Sequence, residues 1–121
     1  MPLITAIHFD RGGNMARVVS ESEHIEAMCF ERIGCRRLVA VKLTPCVALW
    51  LDAEGADNGQ SENTELTRFA ASYGLDHPIY GEGIILGSDF EGDPTGLYEE
   101  EISQLTLTHA GNMLRELATT H

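Results

Sequence analysis

Basic residues are scarce in this chain. Eight Lys or Arg face nineteen Asp or Glu, a net charge of −11, and Lys42 is the one lysine. Such a surface repels phosphate backbones, which argues against direct nucleic-acid binding. Cysteine is nearly as rare. Cys29, Cys35 and Cys46 make an odd count with no C-x-x-C pair and no accompanying His-x₃-His. That argues against both a disulfide framework and a zinc site, and favours free thiols in a reducing compartment. No apolar run approaches the ~18 residues that span a bilayer. The opening "MPLITAIHFDRGG" lacks a basic n-region and its apolar stretch ends at a charge, so it does not read as a signal peptide. These absences together predict a cytoplasmic protein without membrane contact. G-K-[ST] and G-x-S-x-G are missing as well, which removes the P-loop and the nucleophile elbow.

What remains is a chain of 121 residues, 43% apolar and 22% charged. It predicts one domain over residues 1–121, large enough to bury a core without staples. The charge is lopsided. Residues 1–51 carry six basic and five acidic residues; residues 52–121 carry two and fourteen. Solvated loops explain such a surface, and so does a carboxylate face offered to a basic partner or imitating DNA phosphates.

Periodicity predicts the elements. "LITAIHF" (3–9) alternates as a strand, "DRGGN" turns, and "MARVV" (15–19) returns as its hairpin partner. Ser20 and Glu23 fit a capping box for a helix with the stripe Ile25, Met28, Cys29 and Ile33, closed by Gly34. Residues 37–43 and 46–51 predict an antiparallel pair broken at Thr44–Pro45, apolar enough for central strands. Asn63 or Ser61 caps a short helix with Leu66, Phe69, Ala70 and Tyr73 on one side. "IYGEGIIL" (79–86) reads as the last strand, with Gly81 and Gly83 marking a bulge or a close backbone approach. A helix starting near Tyr98 or Glu99 follows, with Ile102, Leu105, Ala110, Met113, Leu114 and Leu117 as its stripe and a break or bend at Gly111. The expected architecture is α+β: a mainly antiparallel sheet of about five strands, helices packed on one face, and a C-terminal helix.

The segment "IYGEGIILGSDFEGDPTGLYEEE" (79–101) is the most conspicuous one. Its glycines do not fit a dinucleotide loop, because no helix begins directly after Gly83. Asp89, Glu91 and Asp93 alternate like calcium ligands, but Pro94 occupies the position where an EF-hand needs glycine. The histidines are scattered, at 8, 24, 77, 109 and 121. Trp50 and Tyr80 read as sheet packing. No cofactor, metal or catalytic residue is therefore assigned.

The order of motifs resembles a family of small uncharacterised domains found in phages, plasmids and actinobacteria. The resemblance covers roughly residues 3–105 and leaves 106–121 as a helical extension. It rests on Glu54, Gly55, Asn58, Gly59, Asn63, Arg68, Ala70, Gly81, Gly87, Gly92 and Asp93. It implies no reaction; it implies an accessory protein of a mobile element that acts on a host protein in the host cytoplasm. The expected contact surface is the acidic loops 52–65 and 88–101, with Asp52, Glu54, Asp57, Glu62, Asp89, Glu91, Asp93, Glu99 and Glu100 as its residues. Two alternatives stand beside it: inhibition of a nucleic-acid enzyme by DNA mimicry, and a small metal-dependent or hydrolytic enzyme built around His8, His24 and the acidic loops. The tail 106–121 is expected either to pack on the sheet or to build the interface of a homo-oligomer.

Overall fold

The computed structural model describes residues 2–119, with side chains up to Arg115. It is an α+β domain. Strands β1 (Leu3–Phe9), β2 (Met15–Glu21), β3 (Leu38–Thr44), β4 (Val47–Asp52) and β5 (Gly83–Ser88) form an antiparallel sheet in the order β2-β1-β5-β4-β3. A two-residue strand β6 (Pro94–Thr95) pairs with the end of β5. The helices are α1 (Ile25–Ile33), α2 (Thr64–Ala71) and α3 (Glu99–Thr119).

β5 is the centre of the fold. All six of its residues are buried, and its side chains alternate between two cores. Ile85 joins Ile7, Phe9, Leu49, Leu66, Phe69, Ile102 and Leu105 under α2 and α3. Ile84 and Leu86 join Ala6, Val18, Ile25, Cys29 and Ile33 under α1. Helices thus cover both faces of the sheet, where one face was expected. The period of two in β5 requires this, since the consecutive apolar side chains of Ile84, Ile85 and Leu86 need cover on both sides. Each fully buried Ile, Leu or Phe contributes about 1.5–3 kcal/mol to that core.

Local signals differ in how they fare. Gly34 closes α1 at φ 71°, its N–H donating to the Phe30 carbonyl. Asn63 caps α2 through its side chain. The Ser20–Glu23 capping box does not form: Ser20 lies in β2, and the turn Ser22–His24 leads into α1 with no side-chain cap. Strand pairing to β1 claims Ser20 before the helix can. β5 begins at Gly83 rather than Ile79, and residues 79–82 keep a single bridge between Tyr80 and Glu62. The close backbone approach lies at Gly87, where an added Cβ would stand 2.6 Å from the Gly96 carbonyl oxygen. Gly83 instead makes room for the side chains of Leu49 and Leu66.

α3 runs through Gly111 without a break. The boundary expected at residue 106 falls inside it, and His109 and Asn112 beyond that point are buried. Its buried stripe is Ile102, Leu105, His109 and Asn112, while Ala110, Met113 and Leu114 are exposed. His109 packs edge-on against Phe9, centroids 4.9 Å apart. The expected stripe position Leu117 and the histidine at 121 lie outside the described side chains. No helix among the described residues is long and apolar enough to cross a membrane.

Candidate functional site

The antiparallel register of β4 and β5 sends the two acidic loops to opposite ends of the sheet. Leu51 pairs with Gly83 at one end and Val47 with Gly87 at the other. Loop 52–65 leaves the first end and segment 88–101 the second. The nine carboxylates expected to form one contact surface are therefore divided between two.

At the first end Asp52 is 7% exposed and belongs to the loop's interior. Its Oδ1 accepts the Glu54 N–H at 2.8 Å; its Oδ2 accepts the side-chain amides of Asn58 at 3.2 Å and Gln60 at 3.4 Å. A carboxylate offers four lone-pair directions to a turn of N–H donors, which is why an acid ends this strand. Asp52 is thus withdrawn from the partner surface. Glu54 is half-buried, and Asp57 and Glu62 are exposed. Asn63 is the keystone beside them. It is 3% exposed, its Oδ1 accepts the Leu66 N–H, and its Nδ2 donates to the carbonyls of Asp10 at 2.8 Å and Gly81 at 2.9 Å. Three separate segments meet on one amide. His8 also lies at this end, Nε2 2.6 Å from Glu82 Oε1, with Arg11 Nε 3.3 Å from Glu82 Oε2.

At the second end Asp89 organises a turn. Its Oδ1 accepts the N–H groups of Glu91 at 3.0 Å and Asp93 at 2.9 Å. Of the acids whose alternation resembled a calcium loop, only Asp89 is used by this turn, which thrusts Phe90 into solvent at 97% exposure. α3 then starts with Glu101 Oε1 accepting the Tyr98 N–H at 2.9 Å, the reach-back half of a capping box. Between turn and helix is a groove of about 670 Å³ lined by Cys46, Ser88, Asp89, Thr95, Tyr98, Glu99, Glu100 and Glu101. Arg17 on β2 forks onto Glu99, Nη1 to Oε1 at 2.7 Å and Nη2 to Oε2 at 3.1 Å. Those hydrogen bonds and the guanidinium charge hold the Glu99 carboxyl below the usual range. Glu91, Asp93 and Glu100 are exposed beside it.

Asp89, Glu99 and Glu100 are thus brought together from the expected set, with Glu91 and Asp93 on the adjoining turn. Glu101 and Tyr98 line the groove with them and Phe90 stands on the adjoining turn, three residues outside the expected set; their signal is the aromatic-acid pattern of "DFEGD" and "LYEEE".

The residues of the enzyme alternative do not assemble. His8 is at the first end, while His24 follows β2 at the second, since Glu21 pairs with Leu3 and Ala16 with His8. His24 shares an exposed cluster with Glu21 and Glu23, the one group of three ligand-type residues among the described residues whose ligand atoms lie within 4.8 Å of each other. Burial pushes the Cys29 thiol up to about 12, with smaller contributions from Cys35 and Glu26, so it stays a protonated core group.

No family model, curated protein or solved structure matches this chain.

Proposed function

We propose that this is a non-enzymatic accessory protein that docks onto a basic surface of a host protein through its 88–101 end. The observation that carries the reading is an open groove lined by Tyr98 and the carboxylates Asp89, Glu99, Glu100 and Glu101, next to a turn that holds Phe90 out in solvent. Exposed aromatics on a fixed turn supply apolar anchors at low entropic cost, and surrounding charge sets partner choice and encounter rate. The resemblance to accessory domains of phages and plasmids supports the same reading and suggests a mobile element as its source.

The triple variant Glu91→Lys/Asp93→Lys/Glu100→Lys and the variant Phe90→Ala test it. All four side chains are exposed, so both proteins should fold. In pull-downs from host lysate, wild type should retain a partner that the triple variant loses and that Phe90→Ala retains weakly. Raising the salt should release that partner, because exposed ion pairs are screened beyond about 8 Å at physiological ionic strength. Retention of every partner by both variants, with unchanged circular dichroism, would remove the assignment.

A further inference from the structure

β3 has the composition of an interior strand and stands at the edge of the sheet. "LVAV" (38–41) is continuous apolar sequence, yet β4 is its one ladder partner among the described residues. Val39 is 41% exposed, and Ala40 and Lys42 are exposed too. The Ala53 N–H donates to the Arg37 carbonyl, so positions 37, 39 and 41 present their backbone groups to β4. By the two-residue period, the N–H and C=O of Leu38, Ala40 and Lys42 point away from the sheet. Open edges are normally blunted by charged side chains, lysine above all, by proline or by a bulge. Residues 38–41 have none of these; Lys42 and the register shift between Lys42 and Thr44 come only at the strand's far end.

Charge gives a second, independent observation. Four of the eight basic residues surround this strand: Arg32 in the last turn of α1, Arg36 and Arg37 in the connection, and Lys42 in β3. All four are exposed and none makes an ion pair among the described residues. By contrast Arg11, Arg17 and Arg68 pair with Glu82, Glu99 and Glu65. In a chain with nineteen carboxylates, four unpaired cations around one open strand leave a basic, hydrogen-bonding edge on an otherwise acidic protein.

We propose that the β3 edge is a docking surface for an acidic, extended peptide segment of another protein, which adds to the sheet as a further strand. The outward backbone groups of Leu38, Ala40 and Lys42 supply the ladder, Val39 and Val41 the apolar contact, and the four cations the selectivity for Asp and Glu. Nucleic acid would meet the cations but has no use for the ladder. A second copy would bring another −11 charge against this one.

The full chain is titrated, by fluorescence anisotropy, with three labelled probes: a short peptide alternating Val and Glu, its Val–Lys counterpart, and a single-stranded oligonucleotide. The Val–Glu peptide should bind at least about tenfold more tightly than the Val–Lys peptide. Binding should slow amide exchange at Leu38, Ala40 and Lys42. Arg36→Glu/Arg37→Glu/Lys42→Glu should weaken it by at least about tenfold. Ala40→Pro should abolish it, because the ring replaces an outward N–H that β4 does not use. Should Ala40→Pro not fold, the charge variant and the exchange pattern decide. Oligonucleotide binding without peptide binding, self-association in place of peptide binding, failure of the Val–Glu peptide to bind, or peptide binding that leaves the three amides unprotected overturns the proposal.

Discussion

Replacing Asn63 tests the packing logic of the whole 52–65 end. The Asn63 amide makes three hydrogen bonds: it caps α2 at the Leu66 N–H and ties the carbonyls of Asp10 and Gly81 to the same point. In Asn63→Ala the lost cap costs about 1 kcal/mol. The buried Gly81 carbonyl loses its Asn63 donor and costs about 1 kcal/mol more, whereas the Asp10 carbonyl keeps the Gly13 N–H at 3.0 Å. The sum, ~2 kcal/mol, is a large share of the roughly 5–15 kcal/mol typical of a domain. At about 4 °C per kcal/mol for a chain of this size, Tm should fall by roughly 8 °C. Asn63→Asp is the sharper variant. It keeps the acceptor for Leu66 and so preserves the cap, but it turns a donor into a carboxylate oxygen facing two carbonyls. At neutral pH it should therefore be no more stable than Asn63→Ala, despite its intact cap. The introduced carboxylate is disfavoured in the folded state, so its folded pKa stands above the unfolded one. Protonation then favours folding, and Asn63→Asp should gain on Asn63→Ala as pH falls toward about 4. Urea denaturation of both variants across pH measures this. If Asn63→Asp matched wild type in stability at about pH 7, the amide's donor bonds would carry no weight and capping alone would explain the residue.

Gly111 lies in an uninterrupted helix where an added Cβ would meet nothing within 4 Å. Gly111→Ala should therefore stabilise by up to about 1 kcal/mol, seen as a rise of roughly 4 °C in Tm; a fall would mean that something packs against that glycine. Asp10 accepts the N–H groups of Gly12 at 2.9 Å and Asn14 at 3.0 Å. Its carboxyl is held below the ordinary value, chiefly by the Asn14 backbone N–H, against partial desolvation and with help from Gly12. A depressed folded pKa means the unfolded chain binds the proton more readily, so this stabilisation is present above the ordinary carboxylate pKa of about 4 and disappears as pH falls through the folded pKa. Asp10→Asn keeps an acceptor but cannot titrate, so its urea midpoint should decline less steeply than wild type between about pH 5 and pH 2; superimposable acid limbs would contradict the assignment.

Much of the fold was legible because its signals are short-ranged. The alternation of Leu3–Phe9, the stripes of α1 and α2, the Asn63 cap and the Gly34 stop depend on neighbours within a turn or a hairpin. Ser20 misled because a capping box and a strand end compete for one residue, and the cross-strand partner Ile4 settled the competition. The C-terminal stripe misled for a related reason. Leu114 and Met113 are more apolar than His109 and Asn112, but the rotation of α3 is set by Ile102 and Leu105 against the sheet, and the later residues follow that phase. Once His109 faces Phe9 and Phe69, Leu114 is left in water.

The candidate sites divide the same way. Acid abundance after residue 51 was plain in the sequence, as was the turn chemistry of "SDFEGD". Which carboxylates share a surface was not, because that depends on the direction in which β5 is inserted between β1 and β4. An antiparallel insertion puts the end of β4 beside the start of β5, and so places loop 52–65 and segment 88–101 a full strand length apart. Edge and centre are undetermined for the same reason: "LVAVKL" and "VALWLD" look alike in composition, and only the pairing of β5 with β4 leaves β3 outermost. By itself the sequence determined the main elements, the Asn63 cap, the Gly34 stop and the charge they carry, because those follow from contacts a few residues apart. Tertiary structure alone decided strand order, which face each helix covers and which acids stand together, because those follow from pairings between segments dozens of residues apart.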